Sequence, residues 1–167
     1  MSYVLADRAQ ALIQQLQMLF PGAYIYTVNV IGSASVPPSN TVGAPLPVQF
    51  NYSVGANNFQ NLQLINIPAT QVWYIVDMYT TSSPSVDGYV VFYKNGTKIL
   101  LSSPDLASMI VSNPARTHLP SILKYEANTT LSAQFVPLQQ NTGSSAVTVN
   151  FFIEVVVVDF SYISAAY

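Results

Sequence analysis

The residues able to do chemistry are few and far apart. His118 is the single histidine. A catalytic histidine needs a nucleophile and an orienting carboxylate, and no Ser-His-Asp order or acidic cluster stands near it in sequence. The carboxylates are Asp7, Asp77, Asp87, Asp105, Glu126, Glu154 and Asp159. Glycoside hydrolysis needs two of them across a cleft, and no spacing here singles out a pair. None of the spacings matches a calcium loop. Asp77 and Glu154 stand inside apolar stretches. Such a carboxylate is either an acid held protonated by burial or one that accepts hydrogen bonds from a neighbouring subunit or faces solvent. The second reading is preferred, because the rest of a catalytic inventory is missing. The sequence has no cysteine, which removes disulfides, thiolate chemistry and Cys-type zinc sites. We expect no enzyme, no catalytic or metal-binding residue and no cofactor.

Charge narrows the reading further. Only 7% of the residues are charged, against roughly 25% in ordinary globular proteins. The five basic residues, Arg8, Lys94, Lys98, Arg116 and Lys124, are scattered along the sequence. Phosphate binding needs clustered Lys and Arg, so five basic against seven acidic residues argue against nucleic acid, and direct sequence-specific nucleic-acid contact is not expected. Tyrosine is abundant, at 11 residues. Tyrosine gives large contact area with a polar tip, which suits interfaces and also sugar stacking. Trp73, flanked by Val72, Tyr74, Ile75 and Val76, reads as core. The sequons at Asn51, Asn95 and Asn128 are no more than the Asn, Ser and Thr content produces by chance. Charge normally keeps soluble copies apart, and a chain with so little of it is expected in an assembly. Met1-Ser2 precedes no basic-then-apolar leader, so folding in the cytoplasm is expected.

The elements that must position these residues follow from periodicity. Over 3–20, Leu5, Ala9, Leu12, Ile13, Leu16, Leu19 and Phe20 form an apolar stripe, with glutamines opposite and Pro21-Gly22 as the stop. A membrane-surface helix would carry Lys and Arg on its polar face, so membrane contact is not favoured and packing against protein is. From Ala23 the pattern is β, with strands expected over 23–31, 46–54, 60–67, 71–80, 87–94, 97–101, 121–126, 129–136 and 146–160. Asn95-Gly96 predicts a two-residue hairpin turn, setting Phe92 opposite Ile99 and Val90 opposite Leu101. Residues 32–47 read as a long Gly/Pro/Ser-rich connection suited to subunit contact. Ser103-Pro104-Asp105 reads as the start of a short helix running to about Val111. The last strand has one apolar face (Val147 to Val157) and a second face that turns apolar after Glu154, at Val156, Val158 and Phe160. A strand apolar on both faces must be covered on both, by the chain's own N-terminus or by another subunit.

A helix, then about eight strands, then a long apolar closing strand resembles the single jelly-roll capsid proteins of icosahedral viruses. The run from Leu119 to Ala133 (LPSILKYEANTTLSA) is similar to the strand, tight turn and strand late in those jelly rolls. The sparse charge is similar to that of capsid proteins from viruses of thermoacidophilic archaea, the portogloboviruses. The resemblance implies an all-β single jelly-roll sandwich, with an N-terminal helix (1–22), a jelly-roll domain (23–167) and a short inserted helix. It also implies a structural shell subunit assembled in the host cytoplasm and resident in the virion. Its partners would be further copies of itself and a second capsid protein. Leu5, Leu12, Leu16, Val156, Val158 and Phe160 are the residues expected at subunit contacts. A vertex or spike protein, a lectin-like glycan-binding module and an extracellular filament subunit are the alternatives.

Overall fold

The computed structural model describes residues 3–53, 59–82, 86–99, 109–111 and 115–161. The closing strand organises the fold. β12 (Val147–Asp159) alternates buried with more open residues as far as Glu154, then is buried at every position from Val155 to Val158. Its long run of Val, Ile and Phe suits the centre of a sheet. It pairs antiparallel along its length with β1 (Tyr24–Val36) on one side and β6 (Gln71–Ser82) on the other. β10 (Ala115–Tyr125) lies beyond β6, and β3 (Gln49–Ser53) with β4 (Phe59–Leu62) lies beyond β1. The first sheet therefore runs β10-β6-β12-β1-β3-β4.

The second sheet runs β2 (Leu46–Pro47), β11 (Thr130–Pro137), β7 (Gly88–Lys94) and β8 (Thr97–Lys98). β5 (Ile65–Asn66) adds to β11, and β9 (Met109–Val111) adds to β7. First and last strands lie side by side, and the chain passes repeatedly between antiparallel sheets, as in a jelly roll. The inward residues of both sheets form one core. Trp73, Ile75, Met78, Phe151, Ile153 and Val155 of the first sheet meet Val90, Phe92, Leu131 and Phe135 of the second. The Phe135 and Phe151 rings lie 5.6 Å apart across the interior.

Local chemistry explains the details. Asn95 (φ 50°) and Gly96 (φ 77°) take the left-handed region that a two-residue hairpin turn requires. The Ile99 amide donates to the Phe92 carbonyl at 2.9 Å, the register expected from that turn; Leu101 lies outside the described residues. Gly32 allows two strands to close up, since a Cβ there would stand 2.8 Å from the Phe50 ring. The connection expected over 32–47 is shorter than its composition suggested, because β1 continues to Val36. Its remainder is pinned. Asn40 Oδ1 accepts from the Asn141 amide at 2.6 Å, Asn141 Nδ2 donates to the Val36 carbonyl at 3.1 Å, and the Ser39 amide donates to the Asn141 carbonyl at 2.8 Å.

The expected inserted helix is not helical where it is described. Met109–Val111 is strand β9, paired with Gly88, Tyr89 and Val90. Met-Ile-Val is a good strand sequence, and the exposed edge of β7 offers it hydrogen bonds. Residues 100–108 lie outside the described residues. His118, outside every strand expected from the sequence, sits in β10. That strand contains Pro120, which cannot donate to a ladder. The register accordingly breaks between His118 and Leu123, on a strand at the sheet edge where proline is tolerated.

Candidate functional site

α1 (Tyr3–Leu19) places its apolar stripe on the outer face of the first sheet. Ala9 and Leu16 pack against Val76, Val156 and Val158, with Leu12, Ile13, Phe20, Ile25, Tyr74, Ile122 and Phe160 around them. The Phe20 and Phe160 rings meet edge to face at 5.2 Å. A bulge in β6 lets Val76 join this face, because the pairing of β6 with β12 shifts between Glu154 and Val155. The greasy half of the last strand is thus covered by the chain's own helix.

This changes the standing of the expected contact residues. Leu16 (3% exposed), Val156 and Val158 (both 0%) are closed off inside one chain, leaving almost no area for a neighbour. The short Pro21-Gly22 connection explains this, since it folds the helix straight back onto β1 and β12. Leu12 and Phe160 are half-buried at the margin of the same cluster. The side chain of Leu5 lies outside the described ones.

The exposed apolar residues lie elsewhere. Met18 (84% exposed) and Leu19 (68%) end the helix, and Tyr24 (56%) follows across the turn, its ring 5.0 Å from that of Tyr26. Ile31 is exposed on the outer sheet face, opposite Phe152. From that pair to the strand ends, the outer face carries Ser33, Ser35, Thr148 and Asn150, with no charged side chain. The sequence stripe identified Leu19 but not its exposure. Helical periodicity says which residues share a face, not where the covered sheet stops.

The polar residues also gather in ways the sequence did not show. Asn29 pairs with Glu154, Glu154 with Asp77, and Asp77 with His118, one row across four strands. Asp77 is 2% exposed, which withholds it from any dissolved substrate. Trp73 Nε1 donates to Gln71 Oε1 at 2.9 Å, and Gln71 Nε2 donates to Asp159 Oδ2 at 3.1 Å. Burial pushes the Asp159 carboxyl up, but hydrogen bonds from Ser161 and Gln71 outweigh it and hold the group below the usual range. Trp73 is fully buried, consistent with a core role. Lys94, Lys98 and Lys124, scattered in sequence, line one cleft. Among the described residues, no three His, Cys, Asp or Glu side chains converge as metal ligands. No described helix is long and apolar enough to cross a membrane.

Residues 11–166 match the family model described as Sulfolobus polyhedral virus 1 major capsid protein VP4. The chain is also 36% identical over 149 residues to "Capsid protein VP4" of Sulfolobus polyhedral virus 1, spanning 84% of this chain and 81% of that relative.

Proposed function

The chain belongs to the family of the Sulfolobus polyhedral virus 1 major capsid protein VP4, and from that premise we propose how its copies hold together. It is a structural capsid subunit of an archaeal virus, and its place is the virion. In our reading the jelly-roll domain (23–167) and the helix (1–22) form one rigid building block. Neighbouring blocks meet through uncharged residues, namely Met18, Leu19 and Tyr24 and the outer face from Ile31 to the strand ends. Leu12 and Phe160 lie at the margin of the helix cluster, where a neighbour can extend it. Further copies of the chain and a second capsid protein are the proposed partners.

The observation that carries this reading is the exposure of Met18, Leu19 and Tyr24 on a chain with 7% charged residues. An obligate interface buries about 2,000 Å² or more, roughly 65% of it apolar. At ~25 cal/mol/Å² that apolar share contributes on the order of 30 kcal/mol gross. Ordering and lost translational freedom offset much of it. Each subunit of a closed array makes several contacts, so each one can be weak.

The test is electron microscopy of purified protein beside the double variant Met18→Asp/Leu19→Asp. Both positions are exposed, so the variant should keep the wild-type circular dichroism and thermal midpoint while losing shells or sheets. A folded variant that assembles as well as the wild type would rule out this patch as a contact. A wild-type protein that stays monomeric at high concentration counts against self-assembly altogether.

A further inference from the structure

The outer face of the second sheet carries a groove of about 300 Å³, away from the surfaces assigned above to subunit contact. Strand pairing creates it. β2 pairs with one edge of β11 at Gln134 and Phe135, and β5 pairs with that strand at Thr130 and Leu131. Between β2 and β5 the chain leaves for the first sheet, where it forms β3 and β4. The Val48 amide donates to the Ala133 carbonyl at 3.1 Å as the chain departs. A gap is left beside Ser132 and Ala133. Pro47 stands at one end of it and Gln63 and Leu64 at the other, with Tyr93 and Gly96 of the hairpin across β11. α1 covers the other sheet, and among the described residues no helix lies on this one.

The groove is fixed before any ligand arrives. The Tyr93 hydroxyl donates to Gln134 Oε1 at 2.8 Å. The Thr130 amide donates to Asn95 Oδ1 at 2.8 Å and its hydroxyl to Asn66 Oδ1 at 3.0 Å, which ties the hairpin turn and β5 to β11. Among the described residues, Gln134 Nε2 and the side chains of Ser132 and Gln63 make no hydrogen bond. Leu64 is 41% exposed and gives the rim an apolar part.

No charged side chain lines the groove. A phosphate or carboxylate would find no counter-ion in it. A purely apolar ligand would leave the Gln and Ser groups unpaired. The lining suits a neutral ligand with polar and apolar faces. A hexopyranose has that form, since its hydroxyls donate and accept while its C–H face packs on an aromatic or aliphatic side chain. The volume stands at the small end of ligand sites, ~300–1,000 Å³, which suits a single sugar ring better than a peptide strand.

We propose that this groove binds one neutral hexopyranose unit of a glycan, held by Gln134, Ser132 and Gln63 and packed against Tyr93 and Leu64. The site goes beyond the capsid role. A glycan on a cell surface and a glycan on a neighbouring virion protein share this chemistry, and the test separates them.

The test is saturation-transfer NMR of dispersed protein with the methyl glycosides of glucose, galactose and mannose. Glucose 6-phosphate and a proline-rich peptide are measured alongside. At least one methyl glycoside should receive saturation and bind more tightly than glucose 6-phosphate. Gln134→Ala should weaken that binding by about tenfold, the effect of one or two lost hydrogen bonds. Ser132→Ala is a second variant and should weaken it about threefold. Both side chains are half-exposed, so both variants should keep the wild-type circular dichroism. Absence of saturation in every neutral glycoside, unchanged affinity in both variants, or tighter binding of glucose 6-phosphate would overturn the proposal. So would binding of the peptide in place of every glycoside. Assembled shells passed over a resin carrying the bound sugar then identify the source. Retained shells place the groove on the outside, open to a cell-surface glycan. Retention of free subunits but not of shells assigns the sugar to a glycan within the particle. Gln134-dependent sugar binding by a protein that forms no shells leaves the groove standing and sinks the self-assembly reading alone.

Discussion

Tyr52 carries a hydroxyl that the fold does not use. Its ring packs 4.6 Å from Trp73, and the buried oxygen has no hydrogen-bond partner among the described residues. Burial, and then the charges carried by Tyr26 once it ionises and by Asp159, push that hydroxyl's pKa well above its usual value. A buried polar group without a partner costs about 1–3 kcal/mol, and removing it without changing shape recovers part of that. Tyr52→Phe should therefore leave stability unchanged or raise it by about 1 kcal/mol in a urea titration; a clear loss would show that the oxygen is bonded. Asn141 is the opposite case. It is 5% exposed and bridges Val36, Ser145 and Gly143. Asn141→Ala should cost about 1–3 kcal/mol by leaving those groups unpaired, and should loosen the 37–45 connection to proteolysis. For Glu126, the hydrogen bond from Lys94, helped by its own backbone and the charges of Lys94 and Lys124, holds the carboxyl below its ordinary pKa. A depressed folded pKa stabilises above the unfolded value of about 4.3 and loses that contribution as pH falls through the folded value. Glu126→Gln should therefore lower stability at neutral pH by less than about 1 kcal/mol, because the pair is exposed to solvent, and the difference from wild type should vanish as pH falls along the acid limb.

At the scale of elements, α1 is the piece that covers the apolar half of the first sheet's outer face. Leu16 is its most deeply buried described residue. Leu16→Ala should destabilise by about 2–5 kcal/mol, as core truncations do, and should increase hydrogen exchange at Val156 and Val158. Unchanged exchange there would mean that the helix does not protect the strand. Several elements were legible in the sequence. The Asn-Gly pair specified a hairpin, because few other residues accept its backbone. The double-faced apolar half of β12 required a cover, though not one from its own chain. Other elements were hidden. Gly32 and Ser33 read as loop because glycine and serine lack strand propensity, yet full pairing of β1 with β12 carries the strand to Val36. Ala115 to Pro120 read as connection because Arg, His and Pro make poor strand signals, and only the edge of β6 recruits them. The lysine cleft was invisible because Lys94 and Lys124 come from different sheets. No local pattern reports contacts set by the way sheets stack.

At the scale of the molecule, the distribution of charge predicts how assembled particles respond to salt. Met18, Leu19 and Tyr24 are uncharged, and so is the outer face from Ile31 to the strand ends, with Ser33, Ser35, Thr148 and Asn150. Contacts made there consist of buried apolar area and neutral hydrogen bonds. Such contacts are barely screened, whereas exposed ion pairs weaken once salt shortens the Debye length to about 3 Å at 1 M. Shell assembly followed by light scattering should therefore persist, or strengthen slightly, as sodium chloride rises toward molar concentration. Dissolution of shells at high salt would place ion pairs at the subunit contacts and require those contacts to be sought near Lys94, Lys98 and Lys124.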